Sequence, residues 1–200
     1  MKKVQRKIFL ERFPDFVRYN TRKDEYYFPS IFDSHILTLD SKSARGYARL
    51  LATEVAKLFR KMHFEKLYFL SDQNIPWLYR IDYGYKYVNQ AFDYLKENNV
   101  SKTFSGALEL DLNQLPEFIK NLYWLVRCNG IITYVYFIDE GSNVLGSICQ
   151  YGSVHLNILN EKADSDFLLA LNKTKFIQLR NDCKDQLSKS SKIPNTHPAG

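Results

Sequence analysis

FSGALELDLNQLPEFIKNLYWLVRCNGIITYVYFIDEGSNVLGSICQYGSVHLNIL, from Phe104 to Leu159, carries a strand, a helix, a stop and further strand-like runs in unbroken succession. In its first part Phe104, Gly106, Leu108, Leu110 and Leu112 alternate with Ser105, Ala107, Glu109 and Asp111, the period of two expected when one face of a strand is buried. Asn113 is placed to cap the next helix, and Leu115, Phe118, Ile119, Leu122, Leu125 and Val126 draw one apolar stripe along it. Asn129-Gly130 predicts its end, since glycine takes a left-handed C-terminal cap without steric cost.

Asp139-Glu140-Gly141-Ser142 then separates IITYVYFI from NVLGSICQ and predicts a hairpin. Loops of two or of four residues both pair Ile138 with Asn143 and Tyr136 with Leu145. Val135, Phe137, Val144 and Ile148 then share a plain core face, while Tyr134, Tyr136, Ile138, Leu145, Ser147 and Cys149 share a mixed apolar and hydroxyl face. VHLNIL is one more strand.

Upstream, Ala44, Tyr47, Leu51, Val55, Leu58, Phe59 and Met62 recur at helical spacing after a cap at Asp40 or Ser41. KLYFLS (Lys66 to Ser71) suits a buried strand, and Val88, Ala91, Phe92 and Leu95 a second amphipathic helix. Residues 1 to 39 give conflicting signals with a lean to a short first helix, because Pro14 and Tyr26-Tyr27-Phe28-Pro29 oppose the stripe of Phe9, Phe13, Phe16 and Val17. Helical pattern returns at Phe167, Leu168 and Leu171, capped by Asp164 or Ser165, and runs loosely on through Phe176, Ile177 and Leu179. Helices interspersed with strands, ending in adjacent antiparallel strands, predict an α+β fold: a single globular domain over 1–187, with a mixed or antiparallel sheet of about five strands and three or four helices. The polar run SKSSKIPNTHPAG, 188–200, predicts a disordered C-terminal tail.

The net charge of +6 is uneven. Residues 1–64 hold 14 basic and 7 acidic side chains, 65–171 hold 8 and 13, and 172–200 hold 6 and 2, so both ends are basic around an acidic middle. The longest nearly uninterrupted apolar run, Ile131 to Ile138, is far below the roughly 20 residues of a membrane helix. Ile8-Phe9-Leu10 is likewise too short for the apolar part of a secretory signal. Three scattered cysteines, Cys128, Cys149 and Cys183, make no disulfide framework and fit a reducing, cytoplasmic setting.

Motifs for phosphate loops, zinc proteases and serine hydrolases are absent, and no cofactor or metal set is expected from the spacing of Cys and His. Glu109 and Asp111 share a strand face, which is more simply a solvated edge than a cation site. Cys149 and His155 are the nearest approach to a nucleophile and base. A two-residue loop Tyr151-Gly152 would put them on opposite faces of a hairpin, and a three-residue loop Tyr151 to Ser153 would set them face to face.

These residues lead to the expectation of a cytoplasmic, non-enzymatic interaction module, a regulator, inhibitor or immunity-type protein, that binds a protein partner through Tyr134 and Tyr136. The alternatives are a nucleic-acid-binding protein using its basic termini, with Arg12, Arg18, Arg22 and Lys23 on phosphates, and a thiol-dependent enzyme using Cys149 and His155.

Overall fold

The computed structural model describes residues 1–20, 22–71, 74–79, 84–129, 132, 134–180, 183 and 187. In chain order the elements are β1 (Lys2–Val4), α1 (Arg6–Arg12), β2 (Arg18–Asn20), β3 (Glu25–Tyr27), β4 (Asp33–Thr38), α2 (Ala44–Lys61), β5 (Lys66–Ser71) and α3 (Lys86–Glu97). They continue with β6 (Ala107–Asp111), α4 (Leu115–Cys128), β7 (Val135–Asp139), β8 (Val144–Ile148), β9 (Val154–Ile158), α5 (Glu161–Leu171) and β10 (Ile177–Leu179). Eight strands form one sheet in the order β1-β6-β5-β7-β8-β9-β4-β10, every neighbouring pair antiparallel, and β2 and β3 form a separate hairpin.

The fold is α+β, as the sequence predicts, with more strands and, among the described residues, five helices rather than three or four. The five strands expected are β5 to β9. The additional ones are β1, β2, β3, β4 and β10, most of them three residues long and too short to display a period. Ile177 and Leu179, expected to prolong a helix, instead pair with Thr38 and Ile36. The tail predicted for 188–200 lies outside the described residues.

One face of the sheet is covered by four helices. α4 packs between α2 and α3, and α5 lies on the other side of α2, so the layer runs α3, α4, α2, α5. Leu67, Phe69, Leu108, Leu110, Val135, Phe137, Val144, Ile148, Val154, Leu156 and Ile158 supply the sheet side of this core. Strand periodicity sends their neighbours to the other face, where Tyr68, Leu70, Ala107, Tyr136, Ile138 and Leu145 meet Phe9, Phe13, Phe16 and Val17. The second core is therefore closed by the N-terminal segment. The sheet is buried on both faces at its centre.

The caps follow local chemistry. The Ser43 hydroxyl accepts from the Gly46 amide at α2, and the Asn160 side chain accepts from the Ala163 amide at α5, contributing about 1 kcal/mol each. α2 thus starts later than the Asp40 or Ser41 cap predicts, and α5 earlier than one at Asp164 or Ser165. At α4 the capping residue is Gln114 without a side-chain bond, and Pro116 sits in the first turn, where its missing amide costs no hydrogen bond.

The hairpin registers set the site. Ile138 pairs with Leu145 and Tyr136 with Ser147, two residues along from the predicted pairing, so the faces are kept and the loop is longer. Asp139 makes this loop possible. Its carboxylate, almost fully buried, accepts from the amides of Gly141 (3.0 Å), Asn143 (2.6 Å) and Val144 (2.8 Å) and from Asn143 Nδ2 (2.8 Å).

Between β8 and β9, Ile148 pairs with Val154 and Ser147 with His155. The Cys149 amide donates to the Ser153 carbonyl (3.0 Å), leaving Gln150-Tyr151-Gly152 as the turn, and the Gly152 amide donates back to the Cys149 carbonyl (2.8 Å). Gly152 has φ +86°, and a Cβ there would sit 2.6 Å from the Tyr47 ring and 2.8 Å from the Tyr123 ring. Both the backbone conformation and the close approach require glycine.

Candidate functional site

The hairpin of β8 and β9 follows neither of the two loops weighed from sequence. Its three-residue turn is displaced by one position, so Cys149 and His155 occupy the same face as diagonal neighbours rather than a direct pair. Two buried groups hold the turn from the helical side. Tyr47 donates its hydroxyl to the Gly152 carbonyl (3.1 Å), and Arg127, 1% exposed on α4, donates from Nη1 to the Gln150 carbonyl (3.2 Å). The backbone of Cys149 is therefore fixed by contacts from α2 and α4.

A third residue joins them. Cys183, beyond β10, brings its Sγ to 3.6 Å from Cys149 Sγ, and one imidazole nitrogen of His155 completes a set of three donor atoms all within 4.8 Å of one another. All three residues are half-buried. The Cys149 thiol donates to Cys183, and this bond, together with burial, pushes Cys149 well above the ordinary thiol range. The same bond, with help from His155 and against burial, pulls Cys183 down to about 6. The bond thus favours thiolate character on Cys183 over Cys149. His155 Nε2 is buried and lacks a hydrogen-bond partner.

This geometry reverses the roles expected of a Cys149–His155 dyad. Thiolate character at neutral pH is what a nucleophile needs, and it falls on the neighbour. The linear spacing of Cys149, His155 and Cys183 gives no hint of the cluster, because Cys183 returns to it only by way of the β9, β4 and β10 neighbourhood of the sheet.

A second cluster behaves differently. On β4, His35 sits 3.3 Å by Nε2 from Asp164 Oδ1 and 3.5 Å from Asp33 Oδ2, while Gln178 Nε2 lies 2.8 Å from Nδ1. Gln178 donates to Nδ1, which leaves the ring proton on Nε2, pointing at the carboxylates. Phe167 lies over the ring with centroids 4.5 Å apart. With both nitrogens engaged, this histidine ties β4, α5 and β10 together.

Tyr136 and Tyr134 part company. Tyr136 is 7% exposed beneath Phe16, Tyr26 and Phe28, with ring centroids at 6.4, 6.3 and 6.2 Å, so it offers a partner little surface. The cause is the N-terminal segment, whose aromatic residues lie on this face of the sheet. Tyr134 remains 44% exposed at the rim of the covering layer.

The basic residues also divide. Arg12 donates from Nη2 to Glu140 Oε1 (2.6 Å) and from Nη1 to the Tyr68 hydroxyl (2.7 Å), and its guanidinium lies 4.9 Å from the Tyr68 ring centre. Arg18 donates to the Pro14 carbonyl (2.6 Å). Both are exposed but bonded within the chain, and Arg22 and Lys23 stand exposed in the turn between β2 and β3. Glu109 is no solvated edge residue either. Its strand lies between β1 and β5, and its carboxylate pairs with Lys2 Nζ (3.2 Å) and Lys66 Nζ (3.3 Å), while Asp111 is exposed.

Beside Tyr134 the chain presents a strip that periodicity did not single out. Tyr27, Phe28, Ile31, Phe32 and Tyr134 are each between 41 and 54% exposed. Pro29 and Ser30, between Phe28 and Ile31 in the chain, line a cleft of about 320 Å³ with Phe13, Phe16, Ile138 and Leu159. The sequence signal was the run Tyr26-Tyr27-Phe28-Pro29, legible as irregular structure but silent on exposure.

Among the described residues no helix is long and apolar enough to cross a membrane. Comparison with models of known protein families, with curated proteins and with solved structures finds no match.

Proposed function

We propose that this protein is a non-enzymatic, cytoplasmic interaction module that binds an acidic protein partner along the strip Tyr27, Phe28, Ile31, Phe32 and Tyr134. The observation that carries the reading is the exposure of five large apolar side chains, four of them within residues 27–32 and the fifth, Tyr134, joined to Phe28 through the Tyr136 ring, since scattered single apolar residues are ordinary on a surface and a grouped set is not. The acidic character of the partner is argued from charge. Arg22 and Lys23 are exposed in the turn that leads into β3 and Tyr27, and residues 1–64 carry twice as many basic as acidic side chains. Residues 1–187 are taken as one domain in this reading, because a single sheet collects strands from Lys2 to Leu179.

The test compares the wild type with a Phe28→Asp/Phe32→Asp variant, both immobilised in native cell extract at two salt concentrations, with captured proteins identified by mass spectrometry. A partner with an acidic surface should be retained by the wild type, lost by the variant of unchanged melting temperature, and should bind again when both purified proteins are mixed. Equal retention by the two would overturn the proposal. Capture that vanishes with nuclease and falls steeply with salt would replace it by the nucleic-acid reading, carried then by Arg22 and Lys23.

A further inference from the structure

We infer that Cys149, Cys183 and His155 form a three-ligand site for a soft divalent transition-metal ion of the Zn²⁺ class. The donor set selects the metal. Two sulfurs and an imidazole nitrogen without a carboxylate oxygen suit zinc-like ions and exclude Mg²⁺ and Ca²⁺, which take oxygen ligands.

The distances suit it as well. A tetrahedral ion with Zn–S bonds of about 2.3 Å holds two sulfurs roughly 3.8 Å apart. Cys149 Sγ and Cys183 Sγ are 3.6 Å apart, and all three donors fall within 4.8 Å of each other. Binding would therefore need little rearrangement, with the Cys149 thiol proton, and any proton still on Cys183, released to solvent.

Two further observations point to a missing ligand rather than to an apolar pair of cysteines. His155 Nε2 is buried with no hydrogen-bond partner, a state that costs stability unless something else coordinates the ring. The Cys149 side of the site is built on a turn held by Tyr47 and Arg127, so one sulfur and the imidazole are presented on a rigid frame. Three protein donors leave the fourth tetrahedral position to water or to an external ligand. The ion would clasp Cys183 to the β8 and β9 hairpin, independently of the aromatic strip near β3.

The test uses the untagged, reduced full chain titrated with Co²⁺, whose d–d bands report tetrahedral geometry and whose near-ultraviolet charge-transfer bands report thiolate ligation. One equivalent should bind with both sets of bands, and Zn²⁺ should displace it and raise the melting temperature. Cys149→Ser, Cys183→Ser and His155→Ala should each lose bands, while Cys128→Ser should keep them. Absence of thiolate bands in the folded wild type, or their survival in Cys183→Ser, would overturn the site. If a variant fails to fold, X-ray absorption of the wild-type Zn²⁺ complex decides instead: two sulfur scatterers sustain the assignment, and one or none removes it.

Discussion

The Sγ atoms of Cys149 and Cys183 lie 3.6 Å apart although 34 residues separate them along the chain. In the metal-free protein this contact lowers the Cys183 thiol to about 6 and raises that of Cys149, so alkylation near neutral pH should modify Cys183 first. Cys128, buried on α4 and pushed up to about 11 by that burial, should also lag well behind Cys183. Peptide mapping after brief exposure to iodoacetamide checks the order, and preferential labelling of Cys149 would restore it as a candidate nucleophile.

Gly152 is expected to tolerate no side chain. Gly152→Ala forces a positive φ on alanine and drives a methyl into Tyr47 and Tyr123, at a cost of about 2–4 kcal/mol from strain and overpacking together. Urea unfolding should show the midpoint falling with an unchanged slope. A neutral substitution would mean that the turn is not packed against α2 and α4 as described.

Glu109 supplies a pH dependence with a definite sign. Burial alone would raise its pKa, but the bonds from Lys2 and Lys66 outweigh burial and hold it below the ordinary carboxylate value of 4.5. A carboxylate depressed in the folded state adds stability that is complete above its unfolded pKa and disappears as pH falls through the folded one. Acid unfolding of the wild type should therefore steepen below about pH 4.5. Glu109→Gln should lose that part of the acid limb and cost at most about 1 kcal/mol at neutral pH, the lysines being solvated enough to limit the loss. Parallel acid limbs for the two proteins would contradict the ion pairs.

Phe9 anchors the N-terminal cover. Its ring, fully buried, lies 5.0 Å from Phe13, 4.8 Å from Phe16 and 6.1 Å from Tyr68. Phe9→Ala should cost about 3–5 kcal/mol and leave Tyr136 more accessible, measurable as hydrogen exchange accelerating in β7 with β9 unaffected. Equal acceleration in both strands would mean that the cover and the sheet unfold as one unit.

The central strands were legible because each is long enough to alternate and is buried on at least one face: Leu67 and Phe69 against Tyr68 and Leu70, Val135 and Phe137 against Tyr136 and Ile138. β1, β2, β3 and β10 were not, since three residues cannot establish a period. β4 was hidden by its polar start, Asp33 and Ser34 being exposed and the buried His35 taking its partners from α5 and β10. The site was half legible. Cys149 and His155 drew attention by proximity in sequence, but their register shifted by one loop position, and Cys183 could be placed beside them only by the strand order of the whole sheet. Exposure of Phe28 and Phe32 was likewise undecidable, because an aromatic run looks the same whether it caps a core or borders one.

The cover over Tyr68, Tyr136 and Ile138 is made from residues that leave the ribosome long before the strands they protect. Phe9, Phe13 and Phe16 precede Ile138 by more than a hundred residues, an interval on the order of ten seconds at ordinary translation rates. During that interval the nascent chain carries a bare cluster of phenylalanines on a basic, otherwise polar segment. A chaperone that binds short aromatic-basic stretches would find its best target there, and slow synthesis between Lys66 and Ile148 would lengthen the exposure.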